Sequence, residues 1–335
     1  MHPAFHRFAA TALAIVVAAL TAAPSRADTV YGVSFNNGRI IRYDSTNPTA
    51  TVVTLSGTGT MVNASGLALG PDGNLYIGEA GDGSTVAPSI RRFNLTSNTL
   101  STVYTFSSFD VAPGALLFKG NDLLVGRNPI FSPPGAVVKV VNATSGTVTY
   151  GDYTSGGGLA ATPGLAIAAD GSLYVSDQSY NPLSGIASGP VKKFDALGAY
   201  VGEVIAIGSS GLFGPTGLGI RGTTLFTASI MDGTVLQTNL LDDSTTVFGS
   251  AGGPYQASPL ALLSDGGLVV GSASGGGAIY RLDASGSVVD TFNSGLGTIG
   301  GLVVAPVPEP TTLVTAAIGL AGALAYGRRR SGQRS

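Results

Sequence analysis

The stretch Gly164-Leu-Ala-Ile-Ala-Ala-Asp-Gly-Ser-Leu-Tyr-Val-Ser-Asp177 constrains this chain more than any other, because it is repeated. Two short apolar segments, 165–167 and 173–175, flank Asp170-Gly171. An Asp-Gly pair supplies the positive φ values that a tight hairpin turn demands. The same phrase stands at Gly66 to Glu79, and looser versions begin at Gly114, Gly217, Pro259 and, truncated, at Gly301. After each hairpin comes a short alternating strand that ends in Asp or Asn, at Asp44, Asn94, Asn142, Asp195, Asn239 and Asp283, with spacings of 50, 48, 53, 44 and 44 residues. A further apolar strand follows, as at 102–106 and 287–292. Four strands per unit at this period predict the blades of a propeller, whereas β-solenoid coils would repeat at a much shorter interval.

Six such endings predict an all-β, six-bladed β-propeller over residues 28–305. The chain enters at the second strand of a blade, Thr29 to Phe35, and Gly301 to Ala305 reads as a first strand with nothing after it. Pairing the two closes one blade from both ends of the chain and removes exposed sheet edges.

Both ends outside this region read as targeting segments. His2, His6 and Arg7 precede an apolar run from Phe8 to Leu20, and Ser25-Arg26-Ala27 offers small residues at a cleavage site, so residues 1–27 read as a signal peptide for signal peptidase. Setting aside Arg7, Arg26, Arg328, Arg329, Arg330 and Arg334 from the 17 basic residues, and Glu309 from the 19 acidic ones, leaves 11 against 18 in the exported part. An acidic domain without a basic run excludes nucleic acid as a partner. The chain has no cysteine, and both histidines lie in the signal peptide. Ser-His-Asp and Cys-His catalysis are therefore excluded in the mature domain.

In a four-stranded blade the one-to-two and three-to-four turns share one face of the disc. The two-to-three loops and the blade links share the other. The turns are short and uniform (Asp72-Gly73, Asp170-Gly171, Asp265-Gly266), and their aspartates read as turn formers. The loop face varies, as binding loops on a rigid scaffold do. Glu79, Arg127 and Asp177 end second strands, where they are expected to ring the central opening, with Ser229, Ser272 and Phe35 at the matching positions. Together with Asp82, Gln178, Tyr180 and Asn181 on the longer loops they form the candidate ligand site. Glu79 and Asp177 are the candidate ligands of a Ca²⁺ ion, the one cofactor the residues suggest. A small polar ligand or sugar is the other occupant considered. The alternative reading for the same side chains is that they pair with one another or cap backbone groups near the axis.

The phrases GLALGPDGNLYIGEA with SIRRFN, and GLAIAADGSLYVSDQ with PVKKFD, resemble blades of the NHL and gluconolactonase (regucalcin) propellers. That resemblance implies the fold over 29–305 and, as one reading, a divalent-cation-dependent hydrolase of the lactonase type. Lactonases of that group hold their metal partly with an acidic residue in the opening strand, and Val30 to Phe35 has none.

The tail, residues 306–335, orders its features as Val307-Pro308-Glu309-Pro310, an apolar stretch from Thr311 to Tyr326, and a basic end from Arg328 to Arg334 whose Arg328-Arg329-Arg330 would stop transfer in the cytoplasm. Sixteen residues rise about 24 Å as a helix, a little short of a hydrocarbon core of about 30 Å. This order resembles the PEP-CTERM sorting signal of Gram-negative bacteria. The resemblance implies transient residence in the inner membrane, processing by an exosortase, and delivery to the cell surface or an exopolysaccharide matrix. The first functional expectation is accordingly a non-enzymatic surface protein that binds a matrix component or packs within the matrix. The second is the lactonase-type hydrolase.

Overall fold

In the computed structural model the described residues are 28–53, 55–57, 61–107, 112–128, 135–145, 149–181 and 186–305. The signal peptide expected over 1–27 and the sorting tail of 306–335, with the membrane helix expected there, lie outside them. Among the described residues no helix is long and apolar enough to cross a membrane.

Six blade sheets follow one another along the chain, five of them four-stranded and antiparallel, and the second carrying in addition a short fifth strand, Ser56–Gly57, parallel to its outer strand. The second blade runs outward from the inner strand Ala64–Leu69 through Leu75–Glu79 and Ser89–Asn94 to Thr99–Thr105. The fourth runs from Gly164–Ile167 through Leu173–Ser176 and Val191–Phe194 to Tyr200–Ile205, with a small hairpin of Ser179–Asn181 and Ile186–Ser188 inserted in its two-to-three loop. The closing blade is built from both ends as anticipated: the inner strand is Ile299–Ala305, and it pairs with Thr29–Ser34 from Thr29 opposite Ala305 to Ser34 opposite Ile299. Inner strands pack in sequence around the axis, and Ile299–Ala305 against Ala64–Leu69 completes the ring.

Alternation puts every second residue of a strand toward each neighbouring blade, so the core divides into six apolar clusters, one at each blade interface. Between the second and third blades, for instance, Tyr76, Ile90 and Phe106 meet Leu116, Leu123 and Val138. Tyr76 also stacks edge-on against Phe118 at 4.8 Å between ring centres. Each fully buried Leu, Ile or Phe in these clusters contributes about 1.5–3 kcal/mol relative to exposure. With no disulfide to help, these interfaces hold the ring.

The glycine that opens the repeated phrase has a packing role distinct from the turn. A Cβ on Gly164 would run into the carbonyl oxygen of Thr216 on the next inner strand, and one on Gly66 into that of Gly114. The leucine after each of these glycines recurs in all six blades as Leu67, Leu116, Leu165, Leu218, Leu260 and Leu302, each between 6% and 8% exposed. These six form an apolar waist around the axis.

The third blade departs from the expected spacing. Val141, opposite Thr149, is the counterpart of Asn94 opposite Thr99. Asn142 lies one residue beyond, with φ of 53°.

Candidate functional site

The second-strand ends carry the residues singled out for chemistry, and the structure gives each a defined local partner set. Glu79 is 2% exposed. Its Oε1 accepts the Val62 N–H at 2.7 Å, and its Oε2 accepts the Ser89 hydroxyl at 2.6 Å and the Arg91 guanidinium at 3.1 Å. Asp177, 5% exposed, accepts the Ala160 N–H on Oδ1 at 2.6 Å and the Lys192 ammonium on Oδ2 at 2.5 Å. Lys192 in turn donates to the Gly157 carbonyl at 2.6 Å. Each carboxylate thus fastens the link that enters its own blade to the far end of the second strand, with a third-strand cation neutralising it.

The same position does the same work elsewhere without charge. Ser229 Oγ accepts the Phe213 N–H and donates to the Phe213 carbonyl, both at 3.0 Å. Ser272 Oγ donates to the Tyr255 carbonyl at 3.3 Å. In the closing blade the matching residue is Ser34 rather than Phe35, and its Oγ donates to the Leu296 carbonyl at 2.6 Å. Counted from the buried residue that opens the strand, Val30 to Ser34 matches Leu75 to Glu79; the shift between Val33 and Ser34 lies in the pairing with the inner strand and recurs in the second blade between Ala64 and Gly66.

The cation is legible in hindsight as a diagonal neighbour. Glu79 pairs across the strands with Ser89, and Arg91 follows two residues on; Asp177 is bonded to Pro190, and Lys192 follows two residues on. Residues two apart share a face, so the third-strand side chain reaches the second-strand end. At this diagonal the serine blades carry Leu236, Tyr280 and Ile41, and the third blade sets Val138 beside Arg127. Acid and base occur together or not at all in these pairs, Arg127 excepted.

The remaining candidates are distributed rather than gathered. Asp82 is exposed and organises its own loop: it accepts the N–H groups of Ser84, Thr85 and Val86 at 2.9, 2.7 and 2.8 Å, and Thr85 Oγ1 bonds its other oxygen. The Thr85 hydroxyl and these backbone donors hold its carboxyl well below the usual range. Gln178 Nε2 donates to the Pro215 carbonyl at 3.3 Å, tying the fourth blade to the fifth. The Arg127 carbonyl accepts the Thr162 hydroxyl at 3.2 Å. Tyr180 and Asn181 sit on the inserted hairpin, opposite Ala187 and Ile186. Among the described residues no three acidic, histidine or cysteine side chains gather as a metal site would require.

The axis on the loop face is lined by other residues. A recess of about 190 Å³ opens between Phe35, Ser65, Asn128, Ser258 and Thr298, and no charged side chain lines it. Phe35 and Asn128 each follow directly on a second-strand end, so the residue facing the axis is the one after Ser34 or Arg127, not the clamp itself. Asn128 Oδ1 accepts the Thr162 N–H at 2.7 Å. The sequence pattern marked Arg127, the residue directly before Asn128, and not Asn128 itself.

On the opposite face the turn aspartates pair with third-strand cations. Asp265 meets Arg281 at 2.5 Å, and Asp122 meets Lys139 at 3.6 Å. Asp170 accepts the Ser172 N–H and hydroxyl, and these bonds with the nearby Lys193 charge lower its pKa. Inside this ring lies a shallow apolar funnel of about 420 Å³ that includes Leu69, Phe118, Leu262 and Val304.

Comparison with known proteins bears on the fold and the tail separately. No curated protein matches the sequence. A chain of a crystal structure described as a nidogen/laminin complex superposes with a TM-score of 0.63 at 16% identity, over 83% of this chain and 98% of that one. At that identity the likeness speaks for the fold alone. The family description of a PEP-CTERM protein-sorting motif matches residues 306–330. The chain is thus a six-bladed β-propeller that carries a PEP-CTERM sorting motif at its C-terminus, the signature of an exported protein processed by an exosortase.

Proposed function

We propose that this protein is a non-catalytic binding or structural propeller displayed at the cell surface or in the surrounding matrix. The observation that carries the reading is the sorting motif itself, which begins at Pro306, directly after the last inner strand ends at Ala305. Proline has no backbone N–H to donate to a ladder, so a strand is not expected to continue through that position. On this reading the N-terminal 27 residues are the leader, the apolar stretch 311–326 is a temporary handle in the inner membrane, and the propeller is the cargo. The acidic exported domain and its uncharged axial recess favour a neutral ligand over a polyanion.

The lactonase-type alternative requires Glu79 and Asp177 to share a cation. Each is instead engaged by an N–H and a cation of its own blade, and no observation favours the hydrolase. Expression of the full chain, and of a chain ending at Ala305, in an exosortase-bearing host tests the proposal. The full chain is expected at the surface with a mass reduced by both terminal segments, and the shortened chain in the periplasm or medium. Identical fractionation of the two, or an uncleaved tail on the surface form, would contradict it.

A further inference from the structure

In the second and fourth blades the clamped link residue is aliphatic, Val62 or Ala160, whereas in the fifth and sixth it is an aromatic turned to solvent. Phe213 is 46% exposed and Tyr255 is 42% exposed. Neither is loosely attached. Met231 N–H donates to the Phe213 carbonyl at 3.1 Å, and Tyr255 N–H donates to the Ile230 carbonyl at 2.6 Å, so Phe213, Ile230, Met231 and Tyr255 form one continuous strip on the low half of the loop face. Tyr255 is held at φ of 63°, a left-handed conformation that costs a bulky side chain energy. Its carbonyl is fixed by the Ala273 N–H at 2.8 Å and the Ser274 N–H at 3.2 Å. A strained backbone that neighbours over-determine, presenting an exposed ring, is the kind of outlier that points to a site.

We propose that Phe213 and Tyr255 are a stacking platform for the sugar rings of a neutral polysaccharide, an inference that rests on the binding form of the surface-protein reading. A whole aromatic side chain offers about 150–250 Å², so rings less than half exposed present roughly 80 Å² each. That is far below the roughly 800 Å² per partner of a stable protein interface, and it fits a single chain lying across two rings. The segments that form the strip, 207–214, 230–233 and 253–258, hold one charged residue, Asp232, and no cation to hold an anionic polymer. Next to Tyr255 in the chain, Gln256 donates to Ser274 Oγ at 3.1 Å and accepts the Tyr280 hydroxyl at 2.7 Å, so amide and hydroxyl groups neighbour the strip.

Affinity electrophoresis of the full chain through gels containing dextran, galactomannan or alginate tests the platform. Native protein is expected to be retarded by at least one neutral polymer and not by alginate. Tyr255→Gly and Phe213→Ala are each expected to reduce that retardation at least tenfold, and Tyr255→Phe to retain it. Because glycine adopts the left-handed conformation freely, Tyr255→Gly should melt no earlier than the native protein, which separates lost binding from lost folding. Retardation that survives both substitutions overturns the platform and leaves the surface-binding reading standing. No retardation by any neutral polymer overturns the platform, and binding at the surface would then need another ligand. A change of oligomeric state in Phe213→Ala without a change in retardation would make the strip a protein contact and also overturn it.

Discussion

The second and fourth blades solve the same joint differently from the fifth, sixth and closing blades. In the first pair a buried carboxylate grips the incoming link and a third-strand cation neutralises it; in the others a serine grips it and an apolar or aromatic side chain fills the diagonal position. The ionic version is not inherently stronger, since desolvating two charges offsets much of their attraction. The blades that use it also bear long two-to-three loops, at 80–88 and 178–190, whereas the serine blades turn back within a few residues. A conspicuous acid at a strand end can thus be a joint.

Removing one half of an ionic clamp should have the largest effect. Asp177→Ala leaves Lys192 buried at 9% side-chain exposure without its counter-charge, an expected cost of about 3–5 kcal/mol. Glu79→Ala removes the carboxylate that accepts from Val62, Ser89 and Arg91, and both substitutions should appear as lower urea midpoints with unchanged slope. The serine joints should cost less. Ser229→Ala leaves the Phe213 N–H and carbonyl without their clamp, an expected loss of about 1–3 kcal/mol. A Ser229→Ala cost equal to that of Asp177→Ala would erase the distinction between the two kinds of blade.

The smallest effect expected is acidic softening of the turns shared by both kinds of blade. Hydrogen bonds from Ser172 lower the pKa of Asp170, those from Ala199 and Leu197 lower that of Asp195, and those from Ser285 and Ser287 lower that of Asp283. A carboxylate with a depressed folded pKa contributes stability that is fully present above its unfolded value of about 3.9 and is lost as pH falls through the folded one. Unfolding midpoints should therefore be flat from neutral pH to about 5 and decline below about 4. Tyr76, raised to about 12 by burial and by its bond to Asp72, works in the opposite direction. Its contribution is present below about 10 and is lost as pH rises toward 12. Decline of stability already between pH 7 and 5 would place the acid-sensitive groups elsewhere.

How far the sequence reveals this molecule depends on whether the relevant contact is local. Asp170-Gly171 declares its turn because the geometry is set by adjacent residues, and Gly171 indeed has φ of 84°. Gly164 hides its role, since the atom that forbids a side chain there belongs to Thr216 on the next blade. Lys192 and Lys193 look alike in sequence, yet alternation buries one against Asp177 and leaves the other over the Tyr174 ring at 5.7 Å. The extra residue at Asn142 displaces a matching position by one, which a repeat count does not detect. Fold was therefore legible from periodicity. The clamps needed the diagonal pairing of second and third strands, and the aromatic strip needed the knowledge of which link residues face solvent.

Thermal unfolding of the full chain and of Asp177→Ala, each with and without millimolar Ca²⁺, tests most directly whether the carboxylates are joints rather than ion ligands. A native-state ligand raises stability by mass action. Ca²⁺ is expected to leave both melting temperatures unchanged, and Asp177→Ala to melt lower by the same margin in either condition. A melting temperature that rises with Ca²⁺ in the native chain, and does not rise in Asp177→Ala, would contradict the joint reading.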